Sequence, residues 1–239
     1  DYIIRAVNYM FPTIKLTEED IESSWVGLRP LIYEEGKSAS EISRKDEIFF
    51  SRSGLISIAG GKLTGYRKMA ERVVDLVCRE LGKKRTCRTA KIKLSGGDVG
   101  GSNNFNGFIR EKIKEARNYE IPKEEAIKLI QLYGSNVDKV LIRIYDCRKE
   151  APYFDLPVTM LGQLRYGIEE EMVATPIDFF NRRISALFFN IKEVELYKEE
   201  IIKYMKKEFK WNEKEAIKHM NYLTSEIYYA QNVLQDESA

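Results

Sequence analysis

Apolar positions recur along this chain at two different periods, and the change between them divides it. Residues 2–10 carry apolar side chains three and four apart, which predicts a helix, and Thr17 followed by Asp20 has the form of a capping box at a short helical turn. Residues 21–33 are instead rich in β-branched and aromatic side chains and are broken at Gly27 and Pro30, the pattern of a strand that stops at a turn. Two more β-type runs, 47–51 and 54–59, are joined by Ser-Arg-Ser-Gly, a hairpin-length connection. Three strands are thus expected in close succession.

The last of these runs, Leu55-Ile56-Ser57-Ile58-Ala59, leads through Gly60-Gly61-Lys62-Leu63-Thr64 into a strongly amphipathic stretch, 66–81. A strand that ends in two glycines and opens a helix suits an anion or the polar edge of a ring. Glycine lets the backbone approach without a Cβ, and the first helical turn has unpaired N–H groups at its positive end. Lys62 adds a full charge there, and Thr64 is placed to cap the helix. Two arginines lie upstream at chain-breaking positions: Arg29 in Gly27-Leu28-Arg29-Pro30 and Arg44 in Ile42-Ser43-Arg44-Lys45. A guanidinium matches phosphate or carboxylate oxygens in two-point contacts, so Arg29, Arg44 and Lys62 together would clamp an oxyanion. Taken singly, each of them, among 39 basic residues, reads better as a solvated surface charge.

After residue 81 the pattern loosens. A basic run, 83–93, has six positive and no negative residues, and the glycine cluster Gly96-Gly97-Asp98-Val99-Gly100-Gly101 follows it, so residues 86–108 read as a linker. From 109 onward the helical period returns. Helix starts are marked by Pro122 with Glu125, Ser135 with Asp138, Thr175-Pro176 with Asp178, and Asn212 with Glu215. The last helix sets Ala216, Met220, Leu223, Ile227, Ala230 and Leu234 on one stripe that needs a partner surface, and Tyr197, Ile201, Met205 and Phe209 form a core-type stripe on the helix before it.

Composition narrows the function classes. Thirty-nine basic and 37 acidic residues leave a formal charge of +2, so no overall field favours nucleic acid. The basic run lacks the interleaved aromatics that base stacking requires and reads as a solvated face or a contact with a membrane surface. Cys78, Cys87 and Cys147 form neither a disulfide framework nor a metal-binding pair, so no metal is expected and a reducing cytoplasm fits. His219, the only histidine, lies among surface-type residues of the final helix, a poor position for a base.

Three segments in order, Trp25-Val26-Gly27-Leu28-Arg29-Pro30-Leu31, Ile42-Ser43-Arg44-Lys45-Asp46, and the run from Gly54 through Gly60-Gly61-Lys62-Leu63-Thr64-Gly65-Tyr66-Arg67 to Glu71, resemble the C-terminal motif series of FAD-dependent glycerol-3-phosphate dehydrogenases. The helical half is similar to the same family in Leu161-Gly162-Gln163-Leu164-Arg165-Tyr166 and in the stretch from Glu171 to Arg183. The resemblance implies an α+β chain in three parts. Residues 1–85 would be a partial FAD- and substrate-binding domain, namely a fragment of an antiparallel substrate sheet with the last strand and helix of a Rossmann-like domain; 86–108 would be a linker; 109–239 would be an all-α domain. It implies FAD contacts at Gly60, Gly61, Lys62, Leu63 and Thr64, and glycerol 3-phosphate held by Arg29, Arg44 and Lys62. Quinone is the implied electron acceptor, with a cytoplasmic location that includes peripheral contact with the inner face of the cell membrane. The family commonly has threonine where Gly65 stands, which should weaken the first helical turn here.

Related oxidases that use oxygen are similar but carry an insertion after the arginine segment, and only 30 residues separate Arg29 from Gly60, so the dehydrogenase reading is preferred. The chain has no GxGxxG turn after a strand and no catalytic base, and it starts as if in mid-helix. It is therefore expected to be a C-terminal piece, inactive alone, with no catalytic residue of its own. One other reading is a helical interaction domain, 109–239, that packs on the rest of the enzyme or on a partner; it is compatible with the first reading and would be supported by self-association into a homo-oligomer through the 213–234 stripe. Another is an amine-oxidising flavoprotein, against which the cationic trio argues.

Overall fold

The computed structural model describes residues 2–28, 32–33, 35–36 and 45–232, in two compact units: Val26–Leu94, and Asp1–Trp25 together with Ser95–Ala239. Arg29 and Arg44 lie outside the described residues, as does Leu234.

In the first unit, β1 (Asp46–Phe50) and β2 (Ile56–Gly60) form the expected antiparallel hairpin, with Asp46 opposite Gly60 and Phe50 opposite Ile56. The turn between them is closed by Ser51 N–H donating to Leu55 O (3.0 Å) and by Gly54 N–H donating to Ser51 O (3.1 Å). A short 3-10 turn, Leu63–Gly65, then opens helix α2 (Tyr66–Glu80). Among the described residues of this unit none is buried; Leu63, Leu55, Val74 and Tyr66 are more than half exposed. A hairpin and one amphipathic helix do not enclose a core.

Among the described residues, all the buried ones lie in the second unit. Helix α1 (Tyr2–Met10) forms where the spacing predicts it, and Thr17 donates through N–H (2.7 Å) and Oγ (3.1 Å) to the Asp20 carboxylate. Residues 21–28, expected as a strand, form none. Their hydrogen bonds go elsewhere: Ser24 N–H donates to Ala230 O (2.7 Å) and Ser23 Oγ to Phe188 O (2.5 Å).

The remaining helices are α3 (Phe105–Ala116), α4 (Lys123–Tyr133), α5 (Val137–Cys147), α6 (Val158–Glu170), the short α7 (Ala186–Phe189), α8 (Ile191–Phe209) and α9 (Glu213–Gln231). Three of the four start signals are used; the fourth, Ser135 with Asp138, is not, since α5 starts at Val137 behind Asn136 without a side-chain cap and Ser135 Oγ accepts from Asp98 N–H (3.3 Å). Pro122 stands at the N-cap of α4, where a missing N–H costs nothing, and Asn212 and Glu215 form a reciprocal box at α9, with Glu215 N–H to Asn212 Oδ1 at 3.0 Å and Asn212 N–H to Glu215 Oε2 at 2.9 Å. Thr175 and Asp178 form a similar box, but it opens a π-helical turn, Asp178–Arg183, rather than an α-helix.

Two apolar clusters fill this unit. One joins α3, α4 and α5 through Ala116, Ile130, Val137, Leu141 and Ile144, and the other gathers α6 to α9 around Leu161, Leu164, Phe179, Phe180, Met205 and Leu223. The α9 stripe finds its partner here: Ala216, Leu223, Ile227 and Ala230 are buried in the chain's own core. The 86–108 stretch is divided. Residues up to 94 go with the hairpin and α2, whereas the chain from Ser95 onward is fastened to the helices, with Asn136 Nδ2 on Ser95 Oγ (2.7 Å) and Ser135 N–H on Gly96 O (2.9 Å).

Helix α6 touches both clusters because Gly162 lets it sit against α5. A Cβ there would lie 2.4 Å from Ile144 Cγ1 and 2.8 Å from its backbone nitrogen. Gly162→Ala should therefore force the helices apart and destabilise the helical unit by about 1–3 kcal/mol, read as a lower denaturation midpoint at unchanged slope. Gly65→Ala, in the other unit, is the control that leaves this transition in place.

Candidate functional site

Hairpin register builds the site. Because Asp46 pairs with Gly60, the ladder continues one step outward, where Gly61 N–H donates to Lys45 O at 3.2 Å. Gly60 (φ 75°) and Gly61 (φ 91°) both take left-handed backbone that side chains resist. Space is as restrictive as torsion: a Cβ on Gly60 would stand 2.4 Å from Lys45 O, and one on Gly61 would stand 2.5 Å from Met69 Sδ. The double glycine is thus pinned between β1 and the first turn of α2.

On the outer side of this bend lies a cavity of about 500 Å³ lined by Ile58, Gly60, Gly61, Lys62, Leu63, Tyr66, Met69, Ala70, Val73 and Val74. Its walls are mainly apolar, supplied by the 66, 69/70, 73/74 face of α2. Sequence reasoning named Gly60 to Thr64 but not Tyr66, Met69 or Val73. The signal was present in their helical spacing, which reads as core until one sees that the unit has none.

Lys62 is exposed at the rim and has no carboxylate partner among the described residues. The other cations of the helix start are committed: Arg67 Nη1 donates to Glu71 (2.8 Å) and to Thr89 Oγ1 (3.2 Å), and Lys68 donates to Glu71 (2.6 Å). The hydrogen bonds from Lys68 and then Arg67 hold the Glu71 carboxyl below its ordinary value. Arg72 pairs with Asp46 and so fastens α2 to β1. Thr64 does not cap α2. Thr64 is taken into the 3-10 turn and Gly65 occupies the N-cap position with no side-chain cap; the turn itself uses the N–H groups of Gly65, on Lys62 O (2.8 Å), and of Tyr66, on Leu63 O. The basic run 83–93 borders a separate cavity of about 860 Å³, with Arg72, Arg79, Lys83, Lys84 and Arg85 on its walls beside Glu71 and Asp75.

His219 lies in the helical unit. Its ring stacks on Trp211 at 4.1 Å between centroids, and Trp211 stacks in turn on Phe209 at 5.4 Å. Among the described residues no group of three or more metal-binding side chains occurs, and no helix is long and apolar enough to cross a membrane.

Residues 87–216 match the family described as the C-terminal domain of alpha-glycerophosphate oxidase. The chain is 51% identical over 235 residues to the aerobic glycerol-3-phosphate dehydrogenase of Bacillus subtilis (strain 168), covering 96% of this chain and 42% of that protein. It is 50% identical over 212 residues to the enzyme of the same name from Staphylococcus aureus (strain MRSA252), covering 86% of this chain and 37% of that protein. Among solved structures it is similar to the glycerol-3-phosphate dehydrogenase from Bacillus halodurans complexed with FAD, with a TM-score of 0.88 and 50% identity over 99% of this chain and 46% of the other. The chain thus spans less than half the length of each of these relatives.

The histidine gives a clean pH test, since it is the only one. Burial, and after it the Lys218 charge, lowers its pKa from the ordinary 6.5. A base whose folded pKa is depressed stabilises the fold above its unfolded pKa and loses that contribution as pH falls through the folded value. The imidazole proton resonances should titrate with a midpoint below 6.5, and Trp211→Ala should raise that midpoint by re-exposing the ring.

Proposed function

The chain belongs to the family described as the C-terminal domain of alpha-glycerophosphate oxidase, and from that premise we propose that it forms the C-terminal part of an FAD-dependent glycerol-3-phosphate dehydrogenase. The reaction is oxidation of glycerol 3-phosphate at C2 to dihydroxyacetone phosphate. β2 and α2 serve as the last strand and helix of the FAD-binding domain, and the hairpin as part of the antiparallel sheet under the substrate.

The observation that carries this reading is the Gly60–Gly61 bend. Two left-handed glycines, an apolar cavity of about 500 Å³ and an exposed lysine at its rim suit a flat ring system with a polar edge. FAD, when bound, supplies the acceptor for the hydride released from C2. The chain's own residues do the rest of what falls to this part. The backbone of Gly60 and Gly61 approaches the ring edge without side-chain obstruction, and the positive end of α2 favours negative charge there. Lys62 attracts the substrate's anionic oxygens. Arg44 joins Lys62 in the oxyanion clamp. Arg29 completes the oxyanion clamp. The proton acceptor for the C2 hydroxyl comes from outside this chain.

The electron acceptor in this reading is a quinone, because the 30 residues between Arg29 and Gly60 leave no room for the insertion of the oxygen-using relatives. The exposed cations of 83–93 give the peripheral contact with an anionic membrane surface. A homo-oligomer would have to use a face other than the α9 stripe, which the chain's own core takes up.

In the intact FAD-loaded enzyme, Lys62→Met should lower kcat/KM for glycerol 3-phosphate by about 10- to 100-fold, as expected for ~1.5–3 kcal/mol from one charged hydrogen bond, with flavin retained. Lys68→Met, which removes only a partner of Glu71, should leave it unchanged. Flavin bleaching by substrate under anaerobic conditions reads both. Equal behaviour of the two variants would remove Lys62 from the site.

A further inference from the structure

Past the end of α2 the chain reverses and runs back along the helix as a strap. Gly82 takes left-handed backbone (φ 62°), and Lys83 N–H donates to Cys78 O at 2.7 Å. Further on, Thr89 Oγ1 accepts from Arg67 Nη1 at 3.2 Å, so residues 83–89 lie antiparallel to α2 within one unit. Every residue from 81 to 95 is exposed except Cys87. Cys87 is therefore the side chain by which the strap turns onto the helix, and its Sγ lies 3.0 Å from Thr89 Oγ1.

The face that Cys87 meets holds a second thiol. The strap separates two cavities of about 860 and 640 Å³, and Glu71, Asp75, Cys78, Arg85, Thr86 and Cys87 line both. Residues 71, 75 and 78 form one stripe of α2, so the strap crosses that stripe with Cys87 turned inward and Cys78 beside the crossing. Cys78 is half-buried like Cys87, and neither is bonded to another sulfur. A reagent that enters either cavity meets both thiols. Cys147 differs: it is fully buried in the helical unit, and burial pushes its thiol up to about 11.

We propose that Cys78 and Cys87 form a redox-modification site, a thiol pair that a small-molecule disulfide oxidises to an intramolecular disulfide, closing the strap on α2. The Cys87 thiolate attacks one sulfur of the reagent, whose S–S bond breaks and releases one thiol that takes up the proton. The Cys78 thiolate then attacks Cys87 Sγ and expels the second thiol. Two protein thiols give up two electrons, one S–S bond forms, and the reagent is reduced to two thiols. Arg85 and Arg88 flank Cys87 and attract an anionic reagent. The exposed strap is free to make the adjustment that brings the two Cα atoms within about 7 Å, as a disulfide demands. In a reducing compartment the pair rests as thiols and closes only under oxidant. Closure also takes Cys87 Sγ away from Thr89, the hydroxyl that Arg67 holds at the first turn of α2.

Oxidised glutathione applied to the intact FAD-loaded enzyme tests this, with peptide mass spectrometry and amide hydrogen exchange as readouts. The wild type should yield a linked Cys78–Cys87 peptide, two hydrogens lighter than the reduced pair. Its 84–89 amides should exchange about ten-fold more slowly than in the reduced protein, and dithiothreitol should reverse both changes. Cys78→Ser should stop at a stable glutathione adduct on Cys87 with exchange unslowed, and Cys87→Ser should give no link. Cys147 should stay unmodified until the protein is denatured. A lasting glutathione adduct on Cys87 in the wild type would overturn the proposal, because it would put Cys78 out of reach. Links between molecules alone, no reaction at either thiol, or a link formed without slower exchange in the strap would overturn it as well.

Discussion

The pinning of the Gly60–Gly61 backbone between Lys45 and Met69 is the constraint on which the rest of the site depends. One side is set by hairpin register, which brings Lys45 O to Gly61 N–H, and the other by the first turn of α2, which brings Met69 Sδ to where a Cβ would be. Between them only glycine fits, at two successive positions in left-handed conformation. The outward face of the bend is consequently bare backbone, flanked by Lys62 and floored by the apolar face of α2. A ring can be brought up to amides there as it cannot be against ordinary side chains.

The two units divide the physical tasks. The helical unit holds all the buried residues among those described and two apolar clusters, joined where Gly162 admits Ile144. It satisfies its own stripes, and it offers the ends of α7 and α9 to the segment 22–25. The hairpin and α2 carry the candidate chemistry without any buried residue, so their apolar face needs covering. Relatives more than twice as long as this chain have ample sequence to supply that cover.

What the sequence disclosed, and what it did not, follows from the range of the interactions. Helix starts at Pro122, Asn212 and Thr175 were legible because capping is decided within four residues. The hairpin was legible from its turn, and the glycine-lysine loop from its place after a strand. Residues 21–28 misled because strand composition says nothing about whether a neighbouring strand is there to receive it; helix ends took the hydrogen bonds instead. Thr64 misled because the 3-10 turn Leu63–Gly65 takes it up and leaves the N-cap to Gly65, one residue further on. The start of the glycine cluster read as a linker because the contacts of Ser95, Gly96 and Asp98, with Tyr133 to Asn136, lie some 40 positions away along the chain. Met69 and Tyr66 could be recognised as walls of a site only after the absence of a core around α2 was visible.

The central claim is that the bend at Gly60–Gly61 faces the flavin, and FAD affinity of two alanine variants in the intact protein tests it most directly. Gly61→Ala puts a Cβ 2.5 Å from Met69 Sδ at φ 91°, whereas Gly65→Ala, in helical backbone at φ −86°, meets only Met69 Sδ at 3.9 Å. The account predicts that Gly61→Ala weakens FAD binding by two orders of magnitude or more, roughly 3 kcal/mol, while Gly65→Ala leaves it within a factor of about three. Unchanged FAD affinity in Gly61→Ala, with the loop shown to be displaced, would contradict it.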